Sequence, residues 1–516
     1  SMRRSALWLL CAAYLLPGLI GRDPWKAVDV RAFGVMTAMA EGRIGWLQPS
    51  LGGVPVDAAL PPHWLGAAFI ALLGPLFGAP MAARIPFALL LALSFALTWY
   101  AAFHLARTDA AQPVPLAFGG EAATLDYARA IADGALLAMV ATLGLLQFGH
   151  ETTPELAQLA CVAALLWALA ATPYHPLRSR VVALAALPLL AACGAPATAC
   201  VLALAAAAVC ALSGYASARS LAPWLAAAGV AAALLAQALG TWAWRVNPPS
   251  ADVATWARIG RLLLWFLWPS WLLALWTVWR WRHHLQYRHI AAPLAVALTG
   301  LGVSLAMGGA DRALLLALPG LAVLAAFALP TLKRSAGAAI DWFSVFFFSA
   351  GAIAIWVVYL SLVVGVPAKP AANVARLAPG FAMSFSPLAL ATALAASIAW
   401  IALVRWRTGR QRHPLWKSLV LPAGGVALCW ALALSLWLAP LDYARSYRPM
   451  IDRIARHVPD GSCVASEGFD DSAVAAFEYF RRWRVDATPG AAGRGCAYLL
   501  VAEPRGARTP ARSGWR

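Results

Sequence analysis

A chain of 516 residues with 62% hydrophobic and only 12% charged side chains, and a mean hydropathy of +0.70, lies far outside the range of soluble globular domains. Its net charge of +18 sits in short loops between apolar runs and forms no folded basic face, which argues against a nucleic-acid binder and for a topology signal. The composition predicts an all-α polytopic membrane protein with room for one small soluble domain.

The first run, MRRSALWLLCAAYLLPGLIG, has a basic start and an apolar middle but no small-x-small cleavage site, so it reads as an uncleaved span with a cytoplasmic N-terminus. Directly after it, GRDPWKAVDVRAFG (21–34) places Arg22, Asp23, Lys26, Asp29 and Arg31 against a membrane edge. Further apolar runs fall near 84–106, 131–149, 155–172, 181–195, 197–213, 221–240, 260–280, 290–308, 311–330, 340–365, 384–405 and 417–439, for about 13 crossings in all. The run 63–80 is short and broken by Gly74, Pro75 and Gly78. Reading it as a helix at or dipping into the outer face keeps the basic loops near 108, 178, 217, 284, 333 and 411 on one side with Arg3 and Arg4.

The odd number of crossings then sends the C-terminus across the membrane. Residues 1–439 form the transmembrane domain, with a long first periplasmic loop at 22–83. Residues 440–516 form a small periplasmic α/β domain with a helix at YRPMIDRIARHV, a strand at SCVASE, a helix near DSAVAAFEYFRR, a strand at CAYLLVAE and a disordered tail. Cys11, Cys161, Cys193, Cys200, Cys210 and Cys429 sit in apolar runs as small hydrophobes. Cys463 and Cys496 each open a strand-like run, and an extracytoplasmic tail would permit a disulfide between them.

Asp29 lies one turn beyond a span, where a carboxylate is costly unless solvated or paired. It reads either as a functional group near the start of a surface helix, which would keep it ionised, or as part of the polar face of an interfacial helix with Lys26 and Arg31.

The order of features resembles a known family. A first span is followed by DPWKAVDVRAFG, GRIGWLQP (42–49) and VDAALPPHW (56–64), then by GHETTPEL (149–156) and DRALLLALPGLAVLAA (311–326). This is similar to the GT-C membrane glycosyltransferases, in the family 39-like branch that holds the aminoarabinose transferases acting on lipid A and the protein O-mannosyltransferases. Val30 stands where the second acid of the opening pair is usual, Asp57 near the family glutamate, and Ala58 at a lysine position that in some members contacts the donor phosphate.

The resemblance implies sugar transfer from a polyprenyl (undecaprenyl) phosphate donor to lipid A, another glycan or a protein, on the periplasmic face of the bacterial inner membrane. Asp29 would be the catalytic base, and Lys26, Arg31, Arg245, Arg258, Arg261 and Arg312 would offer charge for the leaving phosphate or anchor the chain beside the tryptophans. Glu155 reads either as an ordinary first-turn acid after Thr153 and Pro154 or as an acceptor-binding group; with His150 or Asp57 it could hold a divalent metal. His63, beside Trp64, would orient a sugar or sit at the interface among membrane lipids. Segments 241–261 and 365–386 read as aromatic-belt loops or as lids. The rival readings are a transporter or flippase of lipid-linked sugars and a non-catalytic envelope scaffold.

Overall fold

The computed structural model describes residues 3–57, 59–113, 123–242, 246–409, 417–493 and 495–503. Helices run in the order α1 (Arg4–Leu15), α2 (Val28–Ala40), α3 (Leu60–Phe77), α4 (Ala79–Ala106), α5 (Thr124–Ala141), α6 (Leu143–Phe148), α7 (Pro154–Ala171), α8 (Pro176–Ala192), α9 (Pro196–Ala211) and α10 (Ala216–Leu239). They continue as α11 (Val253–Phe266), α12 (Ser270–Arg280), α13 (Arg288–Ala306), α14 (Leu318–Ala328), α15 (Arg334–Val364), α16 (Ala368–Leu377), α17 (Pro387–Thr408), α18 (Val420–Leu436), α19 (Leu438–Arg445), α20 (Arg448–Ile454) and α21 (Asp471–Arg481). Every apolar run read as a crossing coincides with one of these helices or with a broken pair.

Among the described residues, eight helical segments are long and apolar enough to cross a membrane, or up to ten if each of two bent pairs is one span. The protein is a multi-pass membrane protein. The bent pairs are α11 with α12, at 92°, and α18 with α19, at 77°. The run 63–80 is α3, which also passes that test of length and composition. The run 131–149 is interrupted at Thr142, whose backbone is extended (φ −72°, ψ 117°) and whose hydroxyl bonds the Ala138 carbonyl (2.7 Å) and the Ser270 hydroxyl (2.8 Å), so α5 ends there and α6 starts at Leu143.

The 3₁₀ turn Arg312–Ala317 and α14 form the centre, with every α14 residue buried. α15 and α17 instead show apolar side chains outward, among them Phe346, Ile353, Leu388 and Ile398, as lipid-facing helices do. Acids placed well inside helices are paired: Asp133 of α5 accepts from Trp99 Nε1 (3.0 Å), and Asp341 of α15 pairs with Arg407 of α17 (2.9 Å).

The C-terminal unit is a three-stranded parallel sheet in the order β4 (Arg484–Asp486), β3 (Cys463–Glu467), β5 (Tyr498–Val501), flanked by α20 and α21. β1 (Ser50–Leu51) and β2 (Val54–Pro55) are a separate antiparallel hairpin. Cys463 and Cys496 form a disulfide. The strand Arg484–Asp486 has no counterpart in the sequence expectation, because three residues carry too little alternation to register. The expected disordered tail lies outside the described residues.

This unit docks on α2. Val30, Val35 and Met39 of α2 share one buried cluster with Ile451, Val464, Val474, Phe477 and Trp483. The approach is close at Gly34, where a Cβ would meet the Ala475 Cβ at 2.5 Å. The hairpin adds a second clasp: Gly52 (φ +56) and Gly53 (φ +76) take the two left-handed positions of its turn, and the Gly52 carbonyl accepts from Ala487 N (2.8 Å). Thus α2, which carries Asp29, is held between the helical body and the C-terminal unit.

Candidate active site

Asp29 sits in the first turn of α2, 2% exposed, where the helix dipole favours negative charge. Its Oδ2 accepts from the Trp25 main-chain N (3.0 Å), and its Oδ1 accepts from both the main-chain N and the hydroxyl of Thr152 (3.0 Å each). Thr152 belongs to the 149–153 loop between α6 and α7, so the carboxylate ties two distant segments together.

The neighbouring residue of that loop, Glu151, is also buried, at 2% exposed. It pairs with Arg312 (2.7 Å) and accepts from Gln147 Nε2 (3.0 Å). Burial pushes the Glu151 carboxyl above its ordinary value and the Asp29 charge adds to this, while Arg312 and Gln147 oppose it.

Two further arginines lie beside these acids. Arg22 donates Nη2 to the His150 carbonyl (2.6 Å), and the Arg22 carbonyl in turn accepts from Arg84 Nη2 (2.5 Å). Arg22 is 2% exposed and Arg84 is 4% exposed. Arg22 Nε and Nη1 and Arg312 Nη1 are buried with no hydrogen-bond acceptor among the described residues. A narrow cleft lined by Gly18, Leu19, Arg84, Phe87, His150 and Glu151 opens beside them.

Trp25 closes the other side, with Arg22 at 4.5 Å and Arg445 at 5.3 Å from its ring. Arg445 reaches Gln147 Oε1 (3.2 Å), and Asp442 accepts from Trp25 Nε1 and from Asp23 N (3.0 Å each). Asp23 is gripped by Arg448 through two 2.7 Å bonds. The linker into the C-terminal unit therefore organises the loop that presents Asp29.

No family model matches the chain, and no curated protein matches it. Among solved structures, it is similar to ArnT from Cupriavidus metallidurans bound to undecaprenyl phosphate, with a TM-score of 0.61 and 14% identity over 93% of this chain and 85% of that one. The same protein in the apo state gives 0.60 and 14% over 93% and 84%. The chain has the GT-C fold. The likeness is one of architecture.

Within this GT-C fold the sequence-derived site residues part company. Asp29 and Arg312 lie in the cluster. His150 contributes its carbonyl to Arg22, while its ring nitrogens face the carbonyls of Leu146 and Tyr14 (2.6 Å each). Lys26 spends its ammonium on the Ala444 carbonyl (3.0 Å), Arg31 pairs with Asp471 (3.3 Å), and Arg258 donates to the Gly308 carbonyl (3.1 Å). Arg261 is exposed on α11, and Arg245 lies outside the described residues.

Asp57 is exposed, with its carbonyl facing Arg31 Nη2 at 3.5 Å. His63 is buried on α3 and turns Nδ1 to the Ala59 carbonyl. Glu155 occupies the first turn of α7 after Thr153, and the contacts to Asp29 come from Thr152 instead. Among the described residues no group of three or more His, Cys, Asp or Glu is placed to hold a metal, so Asp57, His150 and Glu155 do not converge on one.

Sequence reasoning missed Arg22, Arg84, Thr152 and Glu151. Two signals were present. An arginine inside the apolar run at 84 needs a partner or a function. In GHETTPEL, helix-start chemistry accounts for Glu155 and leaves Glu151 unexplained.

Proposed function

We propose that the chain is an integral membrane glycosyltransferase that moves a sugar from a polyprenyl phosphate-linked donor to a hydroxyl acceptor on lipid A, another glycan or a protein. In this reading residues 1–439 are the transmembrane domain, and residues 440–516 form a domain on the periplasmic face of the inner membrane. The N-terminus is cytoplasmic. The disulfide in the C-terminal unit supports an oxidising compartment.

One observation carries the proposal: a positioned carboxylate, Asp29, stands in one cluster with guanidinium N–H groups of Arg22 and Arg312 that have no protein acceptor. Buried N–H donors without partners are costly, and a phosphate oxygen would satisfy them. Alongside runs an apolar groove of about 440 Å³ lined by Leu143, Leu146, Phe347, Gly351, Val426 and Cys429. Leu146 also packs against Trp25 and Trp430, so the groove's upper end adjoins the cluster and suits an isoprenoid chain. The fold likeness to ArnT bound to undecaprenyl phosphate points the same way.

A carboxylate offers about four acceptor positions. Three on Asp29 are filled, two of them on Oδ1, which leaves a lone pair on Oδ2 for the proton of an acceptor hydroxyl. As that oxygen bonds to the anomeric carbon, the bond from this carbon to the phosphate oxygen breaks and the phosphate leaves with the electron pair. Arg22 and Arg312 stabilise the charge that develops there, with no need to protonate the leaving group.

The test is Asp29→Asn in detergent-solubilised protein supplied with a lipid-linked sugar. Transfer should fall by about 100-fold or more. Undiminished transfer by a folded variant would remove Asp29 as the base, and flux of the lipid across proteoliposomes without transfer would favour a flippase.

A further inference from the structure

We propose that the end of the helical body opposite the candidate active site carries a second site, a pocket for the phosphate of an anionic membrane lipid, built by His104, Arg107, Tyr174, His175 and Arg288. Helix geometry sets its position. His104 lies 20 residues beyond Arg84 on α4, about 30 Å along the axis, which is the thickness of the hydrocarbon layer. α7 likewise starts at the loop that holds Asp29 and ends at Ala171, just before Tyr174 and His175. The His104 ring stacks on Tyr174 at 5.2 Å and meets His175 edge-on at 5.6 Å, and the Arg107 guanidinium lies over the Tyr174 ring at 3.9 Å. Arg288, in the first turn of α13, donates Nη2 to the carbonyls of Leu169 (2.7 Å) and Ala170 (3.2 Å) in the last turn of α7, and its guanidinium is 5.6 Å from the Tyr215 ring.

These cations lack a counter-charge. Among the described residues no carboxylate pairs with Arg107 or Arg288, and the nearest acid along the chain, Asp109, is exposed. Arg288 is 6% exposed and His104 is 5% exposed, and the His104 Nδ1 has no partner among the described residues. Ser179 Oγ, one turn beyond His175, is buried and unpartnered in the same way. A topology signal needs only solvated charge at the edge of a span, whereas a buried guanidinium and an unpaired ring nitrogen are costly without an acceptor. A phosphate supplies both the acceptor oxygens and the negative charge. Arg107, Tyr174 and His175 are half-buried and form the open side of the pocket. Its rim favours a lipid over a soluble phosphate: Leu177, two residues past His175, and Leu212, three before Tyr215, are exposed and apolar, so acyl chains can lie beside the headgroup.

The experiment weighs lipid complexes of the full-length protein. Delipidated protein in detergent is titrated with phosphatidylglycerol or phosphatidylcholine, with and without millimolar inorganic phosphate, and the bound states are counted by native mass spectrometry. The expected result is tighter binding of phosphatidylglycerol, undisturbed by inorganic phosphate. Arg107→Gln should weaken it about tenfold or more. His104→Phe, which keeps a packed ring and removes both nitrogens, should weaken it as well, and a circular dichroism spectrum like that of the unaltered protein shows that each variant is folded. Arg282→Gln, at an exposed arginine between α12 and α13, and Arg312→Ala, in the candidate active site, should leave the affinity unchanged. Equal affinity for the two lipids, or undiminished phosphatidylglycerol binding by either folded pocket variant, overturns the proposal. So does displacement of the lipid by inorganic phosphate, which would make the ligand a soluble phosphate, and so does a loss in Arg282→Gln or Arg312→Ala, which would place the lipid elsewhere.

Discussion

Three hydrogen bonds converge on Asp29, and two of them come from Thr152. A donor that holds a charged acceptor contributes about 1.5–3 kcal/mol, so Thr152→Val should both weaken the fold locally and let the carboxylate rotate. The expected outcome is a drop in kcat with a smaller change in KM, measured by steady-state transfer assays. Arg312→Ala makes a different prediction. It leaves Glu151 buried without its cation and removes an N–H donor from the proposed phosphate position, so KM for the lipid donor should rise about tenfold or more, checked by titrating donor at fixed acceptor.

His150 supplies a pH signature. Desolvation holds its imidazole down, to about 4 from an ordinary 6.5. The unfolded chain then binds the proton more readily than the folded one, so this residue's contribution is complete above pH 6.5 and is lost as pH falls toward 4. Melting temperatures measured across that range should fall with acidification, and His150→Gln should flatten the slope. At this scale charge placed at span ends drew Asp29 and Arg312 into the candidate set, and the structure sets both in the cluster. It could not identify Arg22 or Glu151, because whether a guanidinium keeps unspent N–H groups depends on which carbonyls the fold brings near it.

Among the elements, α2 bears the most on the site, since it carries Asp29 at one end and packs along its length against α21. Its stripe of Phe33, Met36 and Met39 is apolar enough to read as an interfacial helix, and a membrane surface and a protein partner ask for the same pattern. The structure resolves this in favour of a protein partner, because Gly34 allows the Ala475 backbone to approach. Gly34→Val should therefore overpack the contact and destabilise it by about 1–3 kcal/mol. Limited proteolysis should release the C-terminal unit faster in that variant, with the helical body still folded. The broken helices follow a similar logic: α5 and α6 read as one run because apolar residues continue through Thr142, and the extended backbone there, with its hydroxyl on Ser270 of another helix, is visible only in the fold.

For the whole molecule, the C-terminal unit is a small sheet that relies on a staple. Cys463 and Cys496 are 33 positions apart, and closing such a loop restricts the unfolded chain by about 3–4 kcal/mol. Cys463→Ser should lower the thermal midpoint of the unit, read by fluorescence of Trp483, which is buried within it. If the unit also organises the site through Asp442 and Arg448, the same variant should lose transfer activity on mild heating before the helical body melts.

The sequence by itself determined that this chain lives in a membrane, where its helices run, and that its charged first loop and cysteine-bearing tail differ from the rest. Those properties follow from local periodicity and from the cost of placing charge in hydrocarbon, both of which are additive along the chain. Tertiary structure alone decided which charges meet. Asp29 and Thr152 are 123 residues apart and Asp23 and Arg448 are 425 apart, and pairing at such distances depends on helix packing that no local pattern encodes.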